Sequence, residues 1–412
     1  MSIAKAALVL VIFVDIMGQG LAFPIFSVLL LSDQATMLAA GTPAATRQLL
    51  YGVLIGLFFL SWFLGAIYVS RISDSIGRKR GIMLCLAGSL AGYVLAVVAV
   101  ATENFWLLVL SRVVTGFTAG SQPIAQAALI DLSTDEADRT RNMGLVMLGA
   151  GIGLVGGPVL GGVFSLGVFG SLALIMPFVA GGVLITLTMV VILASFEETS
   201  TTRVPLNVHP TAVFTLIWEI TKRPVVARIS LAYVPYMLSF IAFYVFFDNA
   251  LEQWFGFGTT GQSAGMLVMG IAIAITSTFL LPKIMGLAVP RTLMVGFIVL
   301  ELAAILAFVG FEVQAVAFVC IAVMGFVHAY MYPAFLGLFS SSVGDEDQGW
   351  VMGVAIALFT LASAIASLVG GLIGAANFDA MFLFGACGSL LALVAIGLVW
   401  RAGRIHELAT TR

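Results

Sequence analysis

Charge is scarce in this sequence. Asp, Glu, Lys and Arg together make up 9% of its 412 residues, where soluble domains carry about 25%. So little charge excludes an ordinary solvated surface, and a formal net charge of −2 excludes a general attraction to nucleic acid. Cysteine is as sparse. Cys85, Cys320 and Cys387 are odd in number and sit in apolar runs, which excludes a disulfide framework and leaves packing as their role. The three histidines, His209, His328 and His406, lie far apart, and no spacing of His, Cys or carboxylates reads as a metal site. No catalytic dyad or nucleotide-binding loop is visible either, so neither an enzyme nor a cofactor is expected.

Apolar residues are what the chain has in excess: 61% of it is hydrophobic, with a mean hydropathy of +1.15. This is the composition of a polytopic membrane protein. A crossing needs roughly 20 apolar residues. On that rule the sequence predicts twelve spans, at about 5–31, 49–70, 81–101, 105–131, 143–165, 172–195, 226–250, 262–281, 292–311, 314–340, 350–374 and 378–400. The first run is long enough to span and stay, unlike a cleaved signal peptide. Of 18 Lys and Arg, 16 fall in one alternating set of loops and termini; Arg47 falls in the other set and Arg112 inside a span. Positive charge marks the cytoplasmic side, so both termini are expected there. Residues 196–225 form the longest polar stretch and divide the spans six and six. The expected organisation is therefore an all-α membrane protein of two pseudo-symmetric six-helix bundles, 1–195 and 226–412, joined by a cytoplasmic linker. A faint repeat at an offset of 209 supports this, carrying Gly161-Gly162 onto Gly370-Gly371.

The fifth span holds the densest pattern. Gly149, Gly153, Gly157 and Gly161 fall four apart, which stacks them on one helix face. In lipid, where apolar burial gives helices no reason to associate, such small-residue faces let backbones approach closely. Pro158 removes one backbone hydrogen bond and predicts a kink. The pattern fits either plain tight packing or a face used in conformational change.

Charges inside spans are costly and tend to be functional. Asp15 lies roughly 15 Å in from one end of its span and Arg112 roughly 12 Å in from the other end of its own, at 1.5 Å per residue. Both are thus expected near the midplane, as a permanent ion pair or as a proton-coupling pair. Glu301 and His328 are also mid-span and form a second candidate for sharing a proton; His328 also fits a structural, hydrogen-bonded role. Span seven carries Tyr233, Tyr236, Phe240, Tyr244 and Phe247 at spacings of three and four, a common face. Such a face suits stacking of flat or cationic organic molecules, or ordinary packing. Asp248 and Glu252 stand one turn apart at its outer end, as an exit gate or simply a wet helix end. Gln122 and Gln126, one turn apart in span four, are placed to line a polar cavity. Between spans two and three, Ser70-Arg71-Ile72-Ser73-Asp74-Ser75-Ile76-Gly77-Arg78-Lys79-Arg80 has a tight-turn glycine and a basic cluster that fixes topology. Asp74 is left over, and is suited to capping a helix N-terminus such as that of span eleven.

These residues resemble the major facilitator superfamily across essentially the whole chain. The loop Asp74-Ser75-Ile76-Gly77-Arg78-Lys79 is similar to that family's signature loop, with Ser70 in place of the usual Gly and Ser75 in place of a basic residue. Arg112, Gly116 and Gly120 resemble its helix-four motif, and Gly157-Pro158-Val159-Leu160-Gly161-Gly162 its antiporter motif. Asp15-Ile16-Met17-Gly18-Gln19-Gly20 is similar to the first helix of twelve-span drug:proton antiporters, including tetracycline exporters, and Asp345-Glu346-Asp347-Gln348-Gly349 resembles their loop between helices ten and eleven. The second-half signature loop, around Lys283 and Arg291, is degenerate.

The resemblance implies a proton-coupled exporter of a small, fairly hydrophobic organic compound such as a drug, siderophore or metabolite. It would work by alternating access, as a monomer, in the bacterial cytoplasmic membrane, with protons, substrate and lipid as its partners. Asp15, Arg112, Glu301 and His328 would couple protons. Gln19, Gln122, Gln126, Tyr233, Tyr236, Phe240, Tyr244 and Asp248 would line the substrate site. Asp74, Arg78, Gly153, Gly157, Pro158 and Gly161 would form the conformational gate, Asp74 by latching onto span eleven and the glycine face by sealing the halves on closure. The alternative is an uptake symporter of the same fold.

Overall fold

A computed structural model describes residues 2–32, 35, 37–164, 167–199, 211–285, 287, 289–401, 405, 407 and 408. The described secondary structure is helical. Fifteen α-helices follow in order: α1 (Ile3–Leu31), α2 (Ala44–Ile76), α3 (Arg78–Ala101), α4 (Phe105–Phe117), α5 (Ser121–Asp131), α6 (Glu136–Phe164), α7 (Met176–Ser195), α8 (Ala212–Lys222), α9 (Pro224–Phe255), α10 (Thr259–Ile275), α11 (Leu281–Met285), α12 (Pro290–Gly310), α13 (Gln314–Ser341), α14 (Gln348–Ala376) and α15 (Ala380–Val399). A single π turn, Thr276–Leu280, joins α10 to α11. Among the described residues, 11 helices are long and apolar enough to cross a membrane. The missing twelfth is span four, which is two helices rather than one.

Local chemistry sets these limits. Pro224 and Pro290 open α9 and α12, where a missing N–H costs nothing. Asn104 caps α4 by accepting from the Leu107 amide at 3.0 Å, and Gly256 closes α9 in the left-handed conformation at φ 66°. The break in span four has a similar cause. Thr118 turns its hydroxyl back to the Val114 carbonyl at 2.9 Å, and Gly120 precedes a new helix with Pro123 in its first turn, the one stretch of a helix that tolerates proline.

The chain divides into two compact units. The first comprises Met1–Pro43, Leu57–Pro210 and Phe257–Leu267; the second comprises Ala44–Gly56, Thr211–Gly256 and Val268–Arg412. α2 and α10 thus each contribute to both.

In the first unit the most extensive helix contact is α1 on α6, and the glycine face makes it possible. A Cβ on Gly149, Gly153, Gly157 or Gly161 would stand 2.9, 2.6, 2.5 and 3.1 Å from the carbonyl oxygens of Val9, Phe13, Met17 and Leu21 respectively. Both helices advance in steps of four, so backbone lies on backbone along four turns. What fills this face is therefore α1 of the same unit. α6 stays helical through Pro158, whose ring fills the space that Gly20 leaves open.

In the second unit α9 is the central element. Ser239 to Leu251 is buried on all sides, and α15 and α14 pack against it. Gly385 and Gly388 of α15 admit its backbone, a Cβ there meeting Ser239 and Pro235 carbonyls at 3.2 and 2.6 Å. Gly371 of α14 lies against Gly52, at the start of α2, equally closely.

Candidate functional site

The broken span builds the first candidate site. A helix that starts inside a membrane leaves its first N–H groups without intrahelical partners, and they must be satisfied within the protein. Asp15 on α1 does this. Its Oδ2 accepts from the Gln122 amide at 3.1 Å, with the Ser121 hydroxyl facing the same carboxyl. The carboxylate thus lies at the positive end of α5, where the helix dipole favours negative charge.

Arg112, near the end of α4, is almost fully buried. Its guanidinium lies 5.0 Å from the Phe26 ring centre and 5.9 Å from that of Phe58. Nε reaches the Ser111 hydroxyl at 3.4 Å, and Nη2 has no hydrogen-bond partner. Asp15 and Arg112 both line one cavity of ≈ 40 Å³, together with Tyr93, Thr115, Trp62 and Gln122, yet they form no ion pair. The expected direct pair is corrected: the helix break hands Asp15 the Gln122 amide and the Ser121 hydroxyl, and two aromatic faces hold the cation. A cavity of this size takes a few waters, far less than the 300–1,000 Å³ of organic-ligand sites. It has room for water alone. Gln122 enters by its amide and lines the cavity, whereas Gln126 turns away toward the Met143 sulfur at 3.7 Å. The Gln19 side chain lies outside the described residues.

The loop between α2 and α3 forms a compact network. Asp74 pairs with Arg78 at 2.6 Å, and Arg78 lies 3.6 Å from Asp131 at the end of α5. Gly77 has φ 102°, a conformation few other residues adopt. The Glu198 carboxylate sits against Gly77 and accepts from the Arg78 and Lys79 amides at 2.8 and 3.2 Å. Glu198, just after α7, is therefore the residue that caps the start of α3, a role the sequence reading gave to no residue. Its distance of 120 positions from Arg78 leaves no local signal of the contact.

In the second unit, rings stack in a column: Tyr244 on Phe240 (centroids 5.9 Å), Phe240 on His328 (3.7 Å), and His328 on Tyr332 (5.4 Å). The Tyr236 hydroxyl is 3.2 Å from His328 Nδ1, so His328 is tied to Tyr236, not to Glu301. Tyr233 packs edge-on against Phe335 and Phe339. Phe247 stacks on Phe243, which packs against Phe308 and Phe382. Glu301 is fully buried on α12; its polar neighbours are the Ser239 and Ser389 hydroxyls, 2.7 Å from each other. Asp248 is fully buried, with neither carboxyl oxygen hydrogen-bonded, which corrects the reading of a wet helix end.

Two ion pairs outside the spans also went unforeseen. Lys5 at the start of α1 bonds Asp138 at the start of α6 at 2.8 Å. Arg223, just before α9, grips Asp347, just before α14, through two hydrogen bonds of 2.7 and 3.1 Å. Each pair ties the first helix of its six-span half to the fifth, so the two halves repeat the same tie. These hydrogen bonds hold the Asp138 and Asp347 carboxyls below the ordinary carboxylate range and push the Arg223 guanidinium up.

Eleven helices long and apolar enough to cross a membrane among the described residues, with an acid and an arginine lining a water-sized cavity, are the architecture of a polytopic membrane protein. Comparison with known proteins makes the class specific. The chain belongs to the Major Facilitator Superfamily, whose family model matches residues 8–312. It is similar to the class C tetracycline resistance protein of Escherichia coli, 27% identical over 327 residues that cover 77% of this chain and 78% of that protein. The class G tetracycline resistance protein of Vibrio anguillarum is 25% identical over 406 residues, 97% of this chain and 94% of its own. Among solved structures, a D-xylose–proton symporter matches over 100% of both chains with a TM-score of 0.74 at 12% identity, which is a likeness of fold.

Proposed function

We propose that this protein is a proton-coupled exporter of a small, fairly hydrophobic organic compound, working by alternating access in the bacterial cytoplasmic membrane with both termini on the cytoplasmic side. The observation that carries the reading is Asp15. It is a carboxyl inside a span, bonded to the amide at a helix break, beside a water-sized cavity it shares with an unpaired arginine. Ionised, Asp15 is stabilised by the Gln122 amide and the positive end of α5. Protonated, it still offers a neutral acceptor oxygen but loses the charge-assisted part of that bond and the attraction to the positive end of α5. Protonation is thereby linked to the packing of α1 against α5, the kind of two-state element that proton coupling requires. Arg112 keeps the cavity positive and favours release of the proton when the cavity opens.

Export rather than uptake is supported by the similarity to tetracycline resistance proteins and by the Gly-Pro pattern of α6. Tyr244 and Phe240 on α9 and His328 and Tyr332 on α13, with Tyr236 and Asp248 also on α9, are the aromatic and polar groups assigned to a flat, largely apolar molecule. Glu301 and His328 are assigned to the second unit's polar interior and not to proton coupling. Asp74 and Arg78 set the conformational equilibrium from the loop. The reading is tested in proteoliposomes under an imposed proton gradient, with a panel of tetracyclines, cationic dyes and siderophores. Proton movement opposite to substrate is expected; movement with the substrate would make the protein an uptake symporter.

A further inference from the structure

The linker helix α8 has three faces. At ~100° per residue, Ala212, Leu216 and Ile220 fall on one side, Phe214, Ile217 and Trp218 on a second, and Thr215, Glu219 and Lys222 on a third. The first side is accounted for by protein: Ala212 and Ile220 are buried, and α8 packs on α9. The third meets water and polar partners. Glu219 accepts from Trp350 Nε1 at 2.8 Å, which fixes the roll of the helix against the start of α14. The second side is mostly apolar and uncovered, with Phe214 73%, Ile217 46% and Trp218 62% exposed; Thr221, also on it, turns its hydroxyl back to the Trp218 carbonyl at 2.7 Å.

We infer that this second side is a membrane-surface contact: α8 lies in the lipid–water interface with Phe214, Ile217 and Trp218 in the headgroup–acyl boundary. Three observations select lipid as the occupant. α8 ends two residues before the membrane-spanning α9 begins, so it is held at the membrane surface by its connection. The membrane-spanning helix that follows exposes Leu231, two turns in, at 57%, so uncovered apolar surface occurs on both sides of the short junction. The aromatic and basic residues are arranged as at membrane interfaces: the Lys222 ammonium lies 5.3 Å from the Trp218 ring centre, and the Arg223 guanidinium 4.1 Å from that of Trp350. Because α8 is also bound through Trp350 and leads into Arg223, the seat on the membrane holds the Arg223–Asp347 tie in place.

The test uses the full chain in vesicles of phosphatidylethanolamine and phosphatidylglycerol. A nitroxide is placed singly at positions 214, 215, 217, 218 and 219 after Cys85→Ala, Cys320→Ala and Cys387→Ala, and its collisions with oxygen and with a water-soluble nickel chelate are compared. Oxygen collisions are expected to exceed nickel collisions several-fold at 214, 217 and 218, with the order reversed at 215 and 219. Equal nickel access at all five positions would overturn the inference. So would dipolar broadening at 214 and 217, which would assign the face to a second copy of the chain. A chain with its native cysteines gives an independent reading. The fluorescence lost in Trp218→Phe should be the part that lipids brominated near the glycerol quench by more than half and aqueous iodide does not; the opposite pattern would place Trp218 in water.

Discussion

Asp15 separates titration from hydrogen bonding. Asp15→Asn keeps an oxygen that accepts from the Gln122 amide at the same 3.1 Å site but cannot carry a proton. Proton-driven transport is expected to fall by more than 100-fold, about 3 kcal/mol or more, while substrate binding stays within a few-fold and the fold is retained; flux and calorimetry on the same preparation check this. At this scale the sequence was half legible. A carboxylate in the first span stands out because charge there is costly, but its partner did not. Depth alone pointed to Arg112, and only the break reveals the Gln122 amide instead. Gly120 and Pro123 carried the signal, since a proline two residues after a helix start marks a first turn. The paired surface charges make a different prediction. Asp347 is held below its ordinary value of 3.8, so its contribution is complete above the unfolded-chain value and is lost only as pH falls through the lower folded one. Between pH 5 and 8 the Arg223 tie does not titrate. Asp347→Asn should change transport by a constant factor across that range, whereas a change in the shape of the pH profile would count against this assignment.

At the scale of the element, the α1–α6 contact rests on absent side chains. Gly157→Ala places a Cβ 2.5 Å from the Met17 carbonyl oxygen, which is backbone and cannot swing away. Overpacking of this kind costs about 1–3 kcal/mol, so the melting temperature in detergent should fall by several degrees. Gly151→Ala is the matched control: nothing lies within 4 Å of its Cβ, and the gain in helix propensity, at most about 1 kcal/mol, makes it neutral or stabilising. Equal behaviour of the two would mean that the glycine face is not packed as described. The face itself was plain in the sequence from its spacing of four. What it faces was not, because a groove without side chains states only that a backbone approaches. The complementary steps of Val9, Phe13, Met17 and Leu21 are carbonyls, which no residue identity records. The Glu198 cap was hidden for another reason, its distance of 120 positions from Arg78.

For the whole molecule, hydropathy and the alternation of positive charge sufficed to predict twelve spans, since the bilayer fixes both length and sidedness. The fold follows from that and from family membership. Direction of transport does not, as the same architecture serves the D-xylose–proton symporter. Direction and coupling are read together in one measurement: the pH inside proteoliposomes, followed as each substrate of the panel is added, for the native chain and for Asp15→Asn. The account predicts proton movement opposite to substrate in the native chain and none above background in the variant. Native-like proton movement in Asp15→Asn would contradict it, because the proton would then travel on another group.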